Sequence, residues 1–421
     1  MTPAETADIV VIGGGILGCC AAYHLHKAGA GRVVLIEQAA GIGMETTSAG
    51  AGFVSLWGAD FAHWGTLELT LERYAHQFYR ELSAAHEIGL KAVGMARVAV
   101  GAEGARLLAA QYEHARTLVS GEEVQLLTPQ QLVDLVPTVD AAQVSAALFW
   151  PTALRIDAPL AARAIGRELA AAGVVIRTGT EVTAVAIEGG RIIGVDTSGG
   201  RIATDTVVSA TGVWTQRVAR MVGAGEDFAL TPLLTWRFVT ERIDSVPADL
   251  PMLFFSTYAD PQAPDMYVRE HQGGLLIGAY PHGSGAALSH LRQVSRDATP
   301  GMLTVPAELL RYADDAVREF AAAWPPLALA RVAERRIGLP TYTPDGRHLL
   351  GALDGVQGFY VVGGDNEAGI SHGPGLGKMV AELVTTGATS LDRSPYRLDR
   401  FATRDHDKPS AMLVLSGYDS I

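Results

Sequence analysis

Ile9-Val10-Val11-Ile12 runs directly into Gly13-Gly14-Gly15-Ile16-Leu17-Gly18. Nineteen residues past Gly18, the apolar run Val33-Val34-Leu35-Ile36 ends on Glu37. In a G-x-G-x-x-G loop each glycine has its own task. Gly13 permits the tight turn, Gly15 has no Cβ and so lets backbone approach a pyrophosphate, and Gly18 lets helix and strand pack closely. The helix start that follows presents free N–H groups and partial positive charge to phosphates. Glu37 can accept hydrogen bonds from both ribose hydroxyls. Glycine-rich turns alone are common, but a strand, loop, helix, strand and acid in this order point to an adenine dinucleotide. A second group of candidates follows at Glu45–Gly52, where Thr46, Thr47 and Ser48 stand among glycines. Small hydroxyls and bare backbone can wrap a polyol or phosphate; on composition alone the stretch also fits a flexible loop.

These residues need rigid elements behind them. The hydrophobic period predicts amphipathic helices over 66–89 and 103–117, and a short helix opened by Thr128-Pro129 and stopped at Pro137. A second α/β stretch begins near Trp150, with a helix over 158–172, a strand at 174–176 and a hairpin of 181–187 with 191–197. An apolar strand at 206–210 closes it. From Leu230 to about Arg296 the pattern alternates as β, and 306–323 reads as helix. Phe359–Gly363 reads as a buried strand feeding a glycine loop, with a helix from about Gly375 to Thr386.

The α/β character therefore appears early, in the middle and late. The expected fold class is α/β, with a discontinuous Rossmann-like domain over 1–55, 150–228 and 330–400. An inserted α+β substrate domain over 56–149 and 229–329 would be built on an antiparallel sheet, and 401–421 would form a tail. That tail could dock on the body or on a second subunit, which leaves a homo-oligomer open.

Bulk properties narrow the partners. The 421 residues are 48% hydrophobic and 19% charged, enough for two or three domains with large cores. A net charge of −12 with no basic run argues against nucleic acid and anionic membrane. Cys19 and Cys20 are neighbours on the first helix and cannot face one another, so free thiols are expected. No Cys/His spacing suits a metal. The N-terminus lacks a secretory pattern and the apolar run 9–16 is too short to span a bilayer, so the expected location is cytoplasmic.

Several spaced blocks together resemble the flavin-dependent amine and amino-acid oxidoreductases of the D-amino-acid oxidase, glycine oxidase and sarcosine oxidase superfamily. They are the glycine loop with Glu37, Arg155-Ile156-Asp157-Ala158-Pro159, the runs from Gly173 to Val182 and from Thr206 to Trp214, Thr343-Pro344-Asp345-Gly346, and Gly358 through Gly369 and Pro374 to Leu383. The resemblance covers nearly the whole chain and implies FAD. Gly13, Gly15, Ile16 and Leu17 would hold the pyrophosphate, and Glu37 the ribose. Thr46, Thr47, Ser48 and Gly52 would lie along the ribityl and isoalloxazine, Val182 against adenine, and Gly212 beside the cofactor. Gly364, Gly369, Ile370 and Ser371 would sit under the pyrimidine end, where backbone N–H groups stabilise negative charge. Relatives that tether flavin use a cysteine or a histidine where Gly338 and Thr47 or Ser48 stand here. FAD is therefore expected to be non-covalent, with His63 the one nearby candidate against that.

The implied reaction takes a hydride from a C–H beside nitrogen of a small amine or amino acid, giving an imine that hydrolyses. Electrons then pass to O₂ or another acceptor. Tyr267 and Tyr280 resemble substrate-facing positions, and His372 lies in the flavin loop. The arginine that clamps a substrate carboxylate in amino-acid-oxidising relatives is replaced by Pro340. Either Arg336, Arg237 or Arg269 takes over, or the substrate lacks an ordinary α-carboxylate. Leu276 stands where sarcosine oxidases place an oxygen-activating lysine, which favours a dehydrogenase. A hydroxy-acid or polyol dehydrogenase of the same fold and a non-catalytic flavoprotein are the rival readings.

Overall fold

The computed structural model describes residues 5–61, 63–224, 228–257, 264–281 and 299–401. Tail residues 402–421 lie outside that set. The fold is α/β, and two large sheets organise it. The first has six strands in the order Leu349–Ala352, Phe359–Gly363, Val207–Ser209, Ile9–Ile12, Val33–Ile36 and Val175–Arg177. All its pairs are parallel except the edge pair Leu349–Ala352 with Phe359–Gly363. Strands so placed are covered on both faces, which is why 9–12, 33–36 and 359–363 read as continuous apolar runs. Segments more than 300 residues apart in sequence thus become near neighbours in one sheet. A four-stranded sheet of Glu5–Thr6, Gly200–Ala203, Arg191–Thr197 and Val182–Glu188 lies beside it in the chain order.

The second large sheet has eight strands. Its order is Val332–Gly338, Thr235–Thr240, Gly274–Pro281, Pro264–His271, Met252–Ser256, Met95–Ala99, Ala146–Trp150 and Gln125–Leu127. Met95–Ala99 pairs parallel with Met252–Ser256 and every other pair is antiparallel. The boundary expected at residue 330 falls ahead of Val332–Gly338, yet this strand pairs with Thr235–Thr240 in the large sheet. The strand at 95–99 carried no clear alternation in the sequence, because it is buried on both faces.

The helix expected from about Gly375 starts earlier, spanning Gly369–Thr386 with Pro374 inside it. Proline has no N–H, so the carbonyl four residues back, that of Ile370, loses its helical partner. The Tyr79 hydroxyl donates to this carbonyl at 2.9 Å. A tertiary hydrogen bond thereby allows a helix that local rules would end.

This helix crosses Ile16–Lys27 at very short range. Gly373 lies against Ile16 and Leu17, and a Cβ on Gly377 would stand 2.5 Å from the backbone carbonyl carbon of Cys20. Cys19 and Cys20 are both free and buried beside this crossing. Gly18 is equally constrained: its Cβ would fall 1.8 Å from the Gly13 oxygen. Among the described residues no helix is long and apolar enough to cross a membrane.

Backbone cannot rotate aside as a side chain can, so Gly377→Ala must push the two helices apart. The expected cost is about 3 kcal/mol, the upper end for overpacking. Urea denaturation of the holoprotein checks it; an unmoved midpoint contradicts the crossing geometry.

Candidate active site

A cavity of about 380 Å³ is lined from both large sheets. Part of its wall is the glycine loop, with Gly13, Gly15, Ile16 and Leu17, together with Glu37 and Val182. The helix Ile16–Lys27 starts here with no acidic residue in its first turn. Its first N–H, on Ile16, donates to Thr47 Oγ1 at 3.1 Å. A Cβ at Gly15 would meet only that hydroxyl, at 3.5 Å, so the approach to the helix start stays open. Glu37 is held by the N–H groups of Gly14 and Ala39, both at 2.6 Å. Burial raises its pKa, against the lowering effect of those donors. An uncapped helix start, an open glycine surface and a buried acid facing one cavity fit a dinucleotide diphosphate and its ribose.

Thr46, Thr47, Gly52 and Gly212 also line the cavity. So do Gly369, Ile370 and Ser371, at the start of the second long helix, which has no acid in its first turn either. Two expected cofactor residues do not line it. The Ser48 hydroxyl donates to the Glu45 carbonyl at 2.8 Å, closing a 3₁₀ turn. Gly364 shapes its loop through a left-handed φ of 62° and a carbonyl that accepts from His348 and Asn366.

The remaining wall is aromatic. Phe53 packs on Phe254 and on Tyr267, each at 5.2 Å between ring centroids, and Trp57 lies 5.8 Å from Phe254. Tyr267 pairs with Gly278 across the sheet. A Cβ there would sit 2.1 Å from the tyrosine ring, so the missing side chain is what lets the ring lie over its neighbour strand. Burial pushes the Tyr267 phenol up to about 12 although Arg237 pulls the other way, and it stays a neutral donor. The side chain of Tyr280 lies outside the described residues, as does His282.

Three arginines line this cavity, Arg97, Arg217 and Arg237, and Arg217 is paired with Glu181. Arg97 binds Asp60 through Nε at 2.8 Å and Nη2 at 2.5 Å, with its guanidinium 5.3 Å from Phe61 and 5.5 Å from Phe254. Arg237 donates from Nη1 to Thr235 Oγ1 at 2.8 Å and from Nη2 to Glu367 at 3.1 Å. Its Nε is buried and has no hydrogen-bond partner among the described residues. The other arginines weighed as clamps lie elsewhere. Arg336 does not line the cavity; it bonds Glu334 at 2.8 Å and approaches His271 at 3.4 Å. Strand alternation sends Arg335 the other way, over the Phe238 ring. Arg269 is spent on backbone carbonyls of Ala51 and Glu270. His271 is buried between these groups.

His372 is also off the cavity wall. It is fully buried behind Trp64, in a chain of hydrogen bonds that fixes its own proton order. His348 Nδ1 is 2.8 Å from the Gly364 carbonyl, which can only accept, so His348 Nδ1 carries the proton. With neutral rings, His348 Nε2 then accepts from His372 Nδ1 at 2.6 Å, and His372 Nε2 must accept from Glu72 at 2.8 Å. Glu72 is therefore a protonated carboxylic acid. Burial acts in the same sense, raising Glu72 well above its ordinary value and lowering His372 to about 4. The pair is a neutral hydrogen bond rather than an ion pair. Both Glu72 oxygens also accept from the Gly58 N–H, next to Trp57 of the aromatic wall. Sequence reading missed Glu72, Arg97, His348 and Glu367. Glu72 left one trace, an acid on the apolar face of its helix with Leu69, Ala75, Tyr79 and Leu82.

The family model described as FAD dependent oxidoreductase (DAO) matches residues 8–383. A 4-methylaminobutanoate oxidase (formaldehyde-forming) of Paenarthrobacter nicotinovorans is 27% identical over 402 residues. The match takes in 95% of this chain and 46% of the relative, so the chain spans about half that protein's length. Two solved structures share the fold at 25% identity. L-proline dehydrogenase from P. horikoshii has a TM-score of 0.79, covering 94% of this chain and 98% of the other. Glycine oxidase from Geobacillus kaustophilus has 0.77, covering 95% and 100%.

A protonated Glu72 has a neutral isostere. Glu72→Gln keeps a donor for His372 and an acceptor for Gly58, and is expected to change stability by less than about 1 kcal/mol, while Glu72→Ala costs about 2–4 kcal/mol. Folding raises this carboxyl's pKa, so its contribution is greatest below its ordinary value of 4.5 and declines as pH rises. The Gln variant should lack that decline. Denaturant midpoints across pH check both; a Gln variant as damaged as the Ala variant means the acid is ionised.

Proposed function

The chain belongs to the family of FAD dependent oxidoreductases (DAO), and on that premise we propose that it oxidises a carbon–nitrogen bond of a small amine or amino acid carrying a carboxylate. The observation that carries this reading is Arg237, a largely buried guanidinium that lines the cavity beside the aromatic wall and whose acidic partner Glu367 is half-exposed. A substrate carboxylate in the cavity would meet this cation through charge-assisted hydrogen bonds. The relatives agree in kind: 4-methylaminobutanoate, glycine and L-proline each join an amine to a carboxylate.

When bound, FAD supplies the two-electron acceptor for hydride. The chain's residues prepare the substrate for that transfer. Phe53, Trp57 and Phe254 make a wall that disfavours an ammonium ion, helping the amine shed the proton that would block hydride release. Arg237 anchors the carboxylate and so fixes the position of the reacting carbon. Tyr267, neutral and next to Arg237, offers a hydroxyl to the same end of the substrate. The imine leaves to be hydrolysed by water.

We place the cofactor in the cavity non-covalently. Gly338 packs on Ala49 at the position where relatives carry a cysteine. His63 lines the cavity, but burial and Arg347 lower its pKa to about 4. Leu276, buried in the aromatic cluster, leaves no lysine at the oxygen-activating position, so an acceptor other than O₂ is favoured. The reading places the protein in the cytoplasm, in keeping with two free buried cysteines.

Under nitrogen, secondary and primary amino acids should bleach the holoprotein near 450 nm, roughly the flavin band. Bleaching by hydroxy acids or polyols alone favours oxidation of C–O, and no bleaching by any of them favours a non-catalytic flavoprotein. Arg237→Met should raise KM for a carboxylate substrate by about a hundredfold; an unchanged KM removes the clamp. Acid precipitation should release all FAD into the supernatant, and a yellow pellet would show a covalent link.

A further inference from the structure

We propose that Glu367 selects ligands by charge, admitting a carboxylate that brings its own positive charge and disfavouring one that does not. The inference rests on Arg237 as the carboxylate site. Glu367 Oε1 stands 3.1 Å from Arg237 Nη2, and both residues line the same cavity. Their exposure differs sharply: the Arg237 side chain is 9% exposed and that of Glu367 42%. The cation is fixed in the wall, held by Thr235 and packed on Tyr267. The anion stands over it on the open side.

The backbone is committed to this arrangement. Glu367 has a left-handed φ of 62° and Asn366 one of 45°. Asn366 has a local reason, since its side chain donates to the Gly364 carbonyl at 2.7 Å and accepts from the Thr343 N–H at 3.1 Å. Asp365 ties the loop further through the Thr341 N–H at 2.9 Å. Glutamate gains nothing comparable from the left-handed region, which is costly for such a residue. What the conformation provides is a carboxylate on Arg237.

A ligand carboxylate that joins Arg237 must share it with Glu367. Two anions then face one cation in a partly buried site, and a ligand with no charge but its carboxylate leaves that excess uncompensated. A ligand that also carries an ammonium group restores neutrality by placing it near Glu367. The selected class is therefore zwitterionic on arrival, with simple carboxylates and dicarboxylates excluded. Loss of the ammonium proton for hydride release comes after this selection.

The test uses the FAD holoprotein and two non-reacting probes, acetate and glycine betaine, whose nitrogen is permanently charged. Binding is read from the perturbed flavin absorbance. Wild type should bind betaine more tightly than acetate, and Glu367→Gln should shrink the ratio of the two dissociation constants by about tenfold. Arg237→Met should lose both probes. Should the Gln variant not fold, Glu367→Asn carries the same comparison with a residue suited to a left-handed backbone. A wild type without preference, or an unchanged ratio in the Glu367 variant while Arg237→Met loses binding, overturns the selection by Glu367 alone. Wild type binding neither probe, or Arg237→Met binding both normally, overturns the Arg237 reading and this inference with it.

Discussion

Everything at the site depends on one close contact, the crossing of Ile16–Lys27 with Gly369–Thr386. Gly377 brings the backbones together at a distance that any side chain would prevent. That contact sets two helix starts, from opposite ends of the sequence, on the wall of the same cavity. Each start carries unshared N–H groups and a partial positive charge. In the placement proposed above, a cofactor with negative charge at its diphosphate and, once reduced, near its pyrimidine ring would meet backbone donors at both places.

The other half of the cavity answers a different problem, how to keep charge in apolar surroundings. Asp60 compensates Arg97 and Glu367 compensates Arg237. The two pairs differ in the way that matters for ligands. Arg97 and Asp60 are both buried, wedged between phenylalanine rings, although Asp60 Oδ1 has no hydrogen-bond partner among the described residues. Arg237 is buried but its partner is half-exposed, so that pairing stays open to the cavity. Incomplete compensation in a low-dielectric wall is where a ligand gains most by binding.

Behind the wall, Glu72, His372 and His348 solve the same problem without charge. A carbonyl at one end of the chain sets the direction of every proton back to the carboxyl. The chain joins the loop at Gly364 to the helix carrying Glu72, and through Gly58 to the turn that presents Trp57. Ser371 extends the network, accepting from Trp57 Nε1 at 3.1 Å and donating to the Phe53 carbonyl at 3.0 Å. The aromatic face is thus held from behind by neutral hydrogen bonds.

The nucleotide half was legible because its signals are local. The turn at Gly13, the bare Gly15 and the acid at Glu37 lie within one strand–helix–strand unit, whose geometry is set by near neighbours in sequence. Parallel strands buried on both faces read as apolar runs for the same reason. The substrate half was not legible, since it is made by register between distant strands. Arg237, Arg269 and Arg336 are equivalent as letters. Pairing of 235–240 with 332–338 sets Arg237 directly opposite Arg336 on one face of the sheet, yet only the first lines the cavity, because the last lies on the neighbouring edge strand. Pro374 likewise reads as a helix break, and only Tyr79, brought to the Ile370 carbonyl by the fold, reverses that. By itself the sequence determined a dinucleotide cradle and the class of fold around it; tertiary structure decided which charges face the cavity and which acid keeps its proton. Burial and partner geometry control those properties, and neither is encoded by neighbours along the chain.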